Sequence, residues 1–140
     1  MAYLLDTNTV SEMVAARPDK NVLEWFETQD ESRLFLSIIT WGELQRAIFQ
    51  LSAEKRRLRL ETWMADDLYP IFGGRIIDVG EEVITVWAKM LAEYKPKGIV
   101  RSSLDSLIEA TALHHNLILV TRNEKNFRNS HVSVLNPWNA

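Results

Sequence analysis

A chain of 140 residues, 46% hydrophobic and 25% charged, can bury a layered core, and it holds no apolar run near the about 18–20 residues a membrane span needs. A net charge of −3 leaves no basic field over the whole molecule, so any contact with RNA or DNA has to be local. The absence of cysteine excludes disulfides and thiolate metal sites, and no basic stretch leads into a long apolar segment at the N-terminus; the expected location is the cytoplasm.

The chain opens on a short apolar run predicted as a strand over residues 3–5, which stops at Asp6-Thr7-Asn8. Pro18-Asp19 signals the start of a helix over 21–28. A second strand is predicted over 33–38, followed by a helix with Trp41, Leu44, Ile48 and Leu51 on one face. Residues 53–69 are charged and helix-forming and are expected to stop near Pro70. A third strand falls at 75–79. The helix after it, 81–94, carries Val83, Trp87, Met90 and Leu91 on one side and ends at Pro96-Lys97-Gly98. The stripe Leu104, Leu107, Ile108 and Thr111 marks one more helix, before strands at 117–121 and 132–135. Strands alternating with helices in this way predict one α/β domain over 1–140, three layers (α/β/α) around a mostly parallel sheet. Ligands bind such sheets beyond the carboxyl ends of the strands, and Asp6 sits at one such end.

Two further acids occupy comparable places. Glu43 in TWGEL is expected in the first turn of the helix after the second strand, and Asp105 in SSLDSL near the start of the helix before the fourth. Capping explains each of these acids singly. Thr40-x-x-Glu43 and Ser102-x-x-Asp105 have the form of capping boxes, and Asp6 can cap a short helix of its own. Capping does not explain convergence. Three carboxylates gathered in a partly dry cleft repel one another, and a hard divalent cation with oxygen ligands removes that conflict. Such an ion activates a water and steadies charge on a phosphodiester. Past the fourth strand, Thr121 and Asn123 offer side-chain oxygens, and Arg122 offers a planar fork for phosphate.

These segments together resemble a PIN domain, and more narrowly a VapC/FitB-type toxin ribonuclease of bacterial toxin–antitoxin pairs. The resemblance lies in YLLDTNTVSEM, LSIITWGELQRAI and LDSLIEATALHHNLILVTRNEKNF, and runs nearly end to end. It implies a Mg²⁺- or Mn²⁺-dependent endoribonuclease with Asp6, Glu43 and Asp105 as catalytic metal ligands and Asn8, Thr121 and Asn123 in support. It also implies an RNA substrate, a cognate antitoxin and a homodimer. Arg122 and Arg101 are the expected substrate-side cations. Many family members carry a fourth acid in the last motif; here positions 123 and 126 are both Asn, and Glu124 is the nearest carboxylate.

Other segments admit plainer readings. Lys55, Arg56, Arg57 and Arg59 form a solvated helix face, an RNA contact or, by the resemblance, part of an antitoxin groove beside Leu60, Trp63 and Met64. His114 and His115 suit a helix C-terminus better than a chelate, because adjacent helical side chains point about 100° apart. Glu109 either supports Asp105 from one turn away or is simply exposed. Two competing functions stand beside the nuclease. DTNTV resembles the nucleophile motif of haloacid-dehalogenase-like phosphatases, though Asn8 replaces the usual general acid. Alternatively, the missing fourth acid marks a non-catalytic module that only binds a partner protein.

Overall fold

The computed structural model of the protein describes residues 1–139. Five strands, β1 (Tyr3–Leu5), β2 (Leu34–Ser37), β3 (Ile76–Ile77), β4 (Ile118–Val120) and β5 (Val134–Leu135), form one sheet in the order β3-β2-β1-β4-β5. All four pairings are parallel, with Leu5 opposite Leu36 on one side and Val120 on the other. β1 coincides with its predicted range, and the other four strands lie within theirs, shortened.

Side-chain alternation along β1 builds the layers. Leu5, Leu36 and Val120 face a core made with Val10, Leu44, Ile48, Met64, Leu68 and Phe72. Leu4 and Leu119 face the opposite way, onto Ile108, Ala112, Leu117 and Phe127. The first face is covered by α1 (Thr7–Ser11), α2 (Lys20–Glu27), α3 (Ile38–Phe49), α4 (Glu54–Trp63) and α5 (Tyr69–Phe72), the second by α7 (Ser103–His115). Behind α7 lies α6 (Glu81–Tyr94), packed through Val83, Met90 and Tyr94. The α/β/α expectation holds.

The strand order reverses at β1. The chain moves outward from β1 to β2 and β3, then crosses back to place β4 on the other flank. A crevice therefore opens at the carboxyl ends of β1 and β4, where Asp6 and Thr121 begin the next segments.

Helix boundaries differ from expectation in two places. Pro70 does not end the helix that precedes it. Residues Met64–Leu68 widen into a π-helical turn, in which the Tyr69 amide donates to the Met64 carbonyl five residues back, and helix resumes through Phe72. Proline removes one backbone donor and crowds the carbonyl four residues earlier, and a local widening of the turn accommodates both. The second difference concerns α3, which starts at Ile38 with Ser37 as its cap, the Ser37 hydroxyl accepting from the Ile39 amide at 3.0 Å. Thr40 is therefore inside the helix. Its hydroxyl is fully buried, and it has no hydrogen-bond partner among the described residues. A buried hydroxyl without a partner costs about 1–3 kcal/mol. Thr40→Val, which keeps the shape and removes the hydroxyl, is expected to raise the free energy of urea unfolding by about 1 kcal/mol.

Candidate active site

Asp6 caps α1. Its Oδ1 accepts from the Thr9 amide at 2.9 Å and the Thr9 hydroxyl at 2.8 Å, while Oδ2 accepts from the Thr121 hydroxyl. The Thr121 oxygen in turn accepts from the Asn123 amide at 3.0 Å. One carboxylate thus ties the tip of β1 to the turn after β4. Thr121, expected to offer its side-chain oxygen, bonds Asp6 directly, whereas Asn123 bonds Thr121 through its backbone amide and not Asp6. Thr9 was not singled out from the sequence, although a threonine three residues after a capping aspartate is the local pattern that signals it.

Glu43 lies in the second turn of α3 rather than the first, because the helix begins earlier than expected. It therefore cannot close a capping box with Thr40. Its half-buried carboxylate instead accepts from the Thr7 hydroxyl at 2.9 Å, next in sequence to Asp6. On the far side, Glu43 and Leu104 line one small cleft of about 220 Å³, which brings α3 against the start of α7. Asp105 stands on that start. Ser102 caps the helix, its hydroxyl accepting from the Asp105 amide at 3.2 Å, but no bond returns from the Asp105 carboxylate to Ser102 among the described residues. Capping accounts for Asp6 and leaves the carboxylates of Glu43 and Asp105 for other work.

Burial pushes the Asp6 carboxyl above the ordinary carboxylate range. Hydrogen bonds from Thr121 and Thr9 pull it partly back, and the negative charge of Asp105 pushes it up again. Neither Asp6, Glu43 nor Asp105 forms an ion pair with Lys, Arg or His among the described residues. Nor, among those residues, are three or more His, Cys, Asp or Glu side chains drawn together as a ready-made metal cluster. The donor set nevertheless suits a hard cation of the magnesium type, which takes one or two carboxylates directly and retains several waters. A carboxylate held dry beside a like charge, with no cation of the protein to balance it, has the chemistry of such a site.

The remaining candidates divide. Asn8 is exposed on α1, one residue from Thr7. Arg122 is exposed and lies with its guanidinium over the Trp138 ring, 5.6 Å from the centroid. Arg101 is a correction. Its side chain is 3% exposed and donates to Glu109 at 2.8 Å and to the Arg128 carbonyl at 2.6 Å, so it faces the interior and not a substrate. Glu109 is accordingly not exposed; it is the buried partner of Arg101. Glu124 also leaves the site: its carboxylate accepts from the Asn136 and Asn139 side chains at 3.2 and 3.4 Å. His114 and His115 stand edge to face at the far end of α7, with His114 on Glu82.

Comparison with known proteins places this geometry. The chain is 33% identical to VapC ribonuclease Y4jK of Sinorhizobium fredii over 135 residues, 96% of each chain. It is equally identical to Toxin FitB of Neisseria gonorrhoeae over 96% of this chain and 97% of that one. The crystal structure of FitAcB from Neisseria gonorrhoeae superposes with a TM-score of 0.94 at 32% identity, covering 99% of both chains. The phosphatase reading of DTNTV has no counterpart in these relatives, whose likeness spans the crevice and every strand around it. Residues 3–130, which include all three acids and the Thr121 turn, match the PIN domain, and the chain belongs to that family.

Proposed function

We propose that the protein is a metal-dependent endoribonuclease, the toxin of a toxin–antitoxin pair, that hydrolyses RNA phosphodiesters in the cytoplasm. The observation that carries this reading is Asp6: a buried carboxylate, raised by burial and by Asp105, at the crevice where strand order reverses. Its relatives carry the names ribonuclease and toxin over the full length of the fold.

Asp6, Glu43 and Asp105 would hold Mg²⁺ or Mn²⁺. When bound, such a cation supplies Lewis-acid chemistry, lowering the pKa of water and offsetting charge on the phosphodiester. The chain's own residues prepare the place. Thr121 and Thr9 fix both oxygens of Asp6, so its orientation is set before any ligand arrives. Thr7 fixes Glu43 in the same manner. Asn8, exposed on α1, and Asn123, beside Thr121, would orient water and the scissile phosphate through their side-chain amides. In the reaction a water oxygen bonds to phosphorus, and the bond from phosphorus to the leaving ribose oxygen breaks.

Two apolar surfaces suit protein partners. One groove of about 670 Å³ runs between α1 and its extension, α3 and α4, lined by Leu44, Leu51, Leu60 and Trp63 with Arg56 and Arg59 at its edge. It fits an amphipathic antitoxin segment. Arg57 is not available there, being tied to Glu61 and the Leu51 carbonyl. A homodimer has its own apolar face at Phe49, 62% exposed, and Tyr69, 52% exposed.

The test is cleavage of defined RNAs by wild type and Asp105→Asn, with and without EDTA. Wild type is expected to cut only with Mg²⁺ or Mn²⁺, and Asp105→Asn to lose at least about 10²-fold in rate. Cleavage that survives EDTA and Asp105→Asn alike would overturn the assignment. Absence of any cleavage, with antitoxin binding intact, would favour the non-catalytic partner module.

A further inference from the structure

We infer that Arg122, seated on Trp138, grips one phosphate of the RNA strand at the rim of the acidic crevice, and that the C-terminal turn at 136–139 is built as its platform. The inference rests on the ribonuclease reading and adds a substrate-binding residue pair to it.

The half-buried guanidinium groups are committed. Arg101 is paired with Glu109, Arg57 with Glu61, and Arg75 donates to the carbonyls of Leu34 and Ile71. Arg122 differs. It follows Thr121, whose hydroxyl holds Asp6, so its backbone is fixed at the site's edge. Yet among the described residues its guanidinium forms no ion pair and no hydrogen bond, and its only partner is the indole face of Trp138.

A carboxylate stands close by in sequence and is diverted. Glu124, two residues on, is occupied by the amides of Asn136 and Asn139, neutral donors that leave the Arg122 charge unspent. The same Asn136 also donates to the Arg122 carbonyl at 3.3 Å, pinning the turn from behind. Trp138 is itself held: its amide donates to Asn136 Oδ1 at 2.9 Å, and its carbonyl accepts from Asn21 at 3.0 Å. A long, flexible side chain is thereby laid on a fixed aromatic surface, with its planar donors unpaired. That arrangement matches phosphate, which takes two parallel N–H bonds from a guanidinium. In a chain of net charge −3, an unpaired cation on the residue after Thr121, which bonds Asp6, also offsets the repulsion of acids toward an incoming polyanion.

The test uses the full chain carrying Asp105→Asn, so that RNA is bound and not cut, with a fluorescein-labelled single-stranded oligoribonucleotide and Mg²⁺. Anisotropy is followed across a KCl series. Adding Arg122→Ala is expected to weaken binding about tenfold at low salt and to reduce the slope of log K against log[KCl] by about 0.7, the signature of one lost phosphate contact on a single strand. Arg122→Lys keeps the slope and loses part of the affinity. Trp138→Leu weakens binding about two- to fivefold with the slope unchanged, because the charge remains and only its support is gone. In the otherwise wild-type enzyme, Arg122→Ala raises KM more than it lowers kcat. An unaltered salt slope in Arg122→Ala overturns the proposal, whatever happens to affinity. If Arg122→Ala melts lower than its parent, Arg122→Gln is measured in its place, and the slope again decides. Failure of the ribonuclease reading looks different: wild type would cut no RNA, and both ideas would fall together.

Discussion

Asp6→Asn is expected to cleave RNA about 10²–10⁴-fold more slowly than wild type while melting no lower in EDTA. Both halves follow from one environment. The ionised carboxylate is buried and faces the charge of Asp105, so the folded chain holds it at a disadvantage when no cation is present. Asparagine removes the charge, and its amide oxygen can still accept from the Thr9 amide and hydroxyl. The sign of the pH effect is fixed by the direction of the shift. Asp6 has a raised pKa in the folded state, so the folded chain keeps a proton that the unfolded chain has released. Its contribution is full below the ordinary value of 3.8 and is lost as pH climbs through the folded value. A melting-temperature profile against pH in EDTA should therefore be flatter over that interval in Asp6→Asn. Added Mg²⁺ should raise the melting temperature of wild type and leave Asp6→Asn nearly unmoved. A variant that loses activity only because it unfolds would contradict this account.

The second large effect is one of stability. Arg101→Ala is expected to cost about 3–5 kcal/mol, because it strands the Glu109 charge in a fully buried place. For a chain of this size that corresponds to about 10–20 °C in melting temperature. Glu109 has one other polar partner, the Tyr94 hydroxyl at 2.6 Å, which cannot supply a charge; burial and the bond to Glu109 hold that phenol above its usual range. Arg101 also lies over the rings of Tyr94 and Phe127 and donates to the Arg128 carbonyl. One guanidinium therefore joins α6, α7 and the segment between β4 and β5. Replacing both ends together, Arg101→Met with Glu109→Leu, removes the stranded charge and is expected to melt higher than Arg101→Ala alone. Calorimetry of the three proteins decides it. A single variant as stable as wild type would show the pair to be idle.

These two residues also mark where the sequence stops being legible. Strand and helix positions followed from periodicity because a buried face imprints a regular spacing on the chain, as in Leu4 and Leu5 or the stripe of α7. Asp6 and Asp105 were legible because strand ends and helix starts carry local signals. Glu43 lies on the predicted helix but one turn further along it than expected: LSIIT hides a helix start at Ile38 behind residues that suit a strand equally well. Arg101 and Glu109 gave no signal of pairing. They meet across a loop and a helical turn, a relation that no local pattern encodes, and an arginine beside an acidic site reads more naturally as a phosphate contact. Trp138 was silent for a similar reason, since only the folded chain brings the C-terminal turn under Arg122.

The bond from Thr121 to Asp6 closes a loop of 115 residues across the middle of the sheet. Nothing local can substitute for it, because β4 is the strand that completes the inner flank of β1. A polypeptide truncated anywhere before Thr121 lacks the group that holds the second oxygen of Asp6, leaving only Thr9 on the first. A growing chain still on the ribosome is in the same position until Thr121 has emerged and β4 has paired with β1.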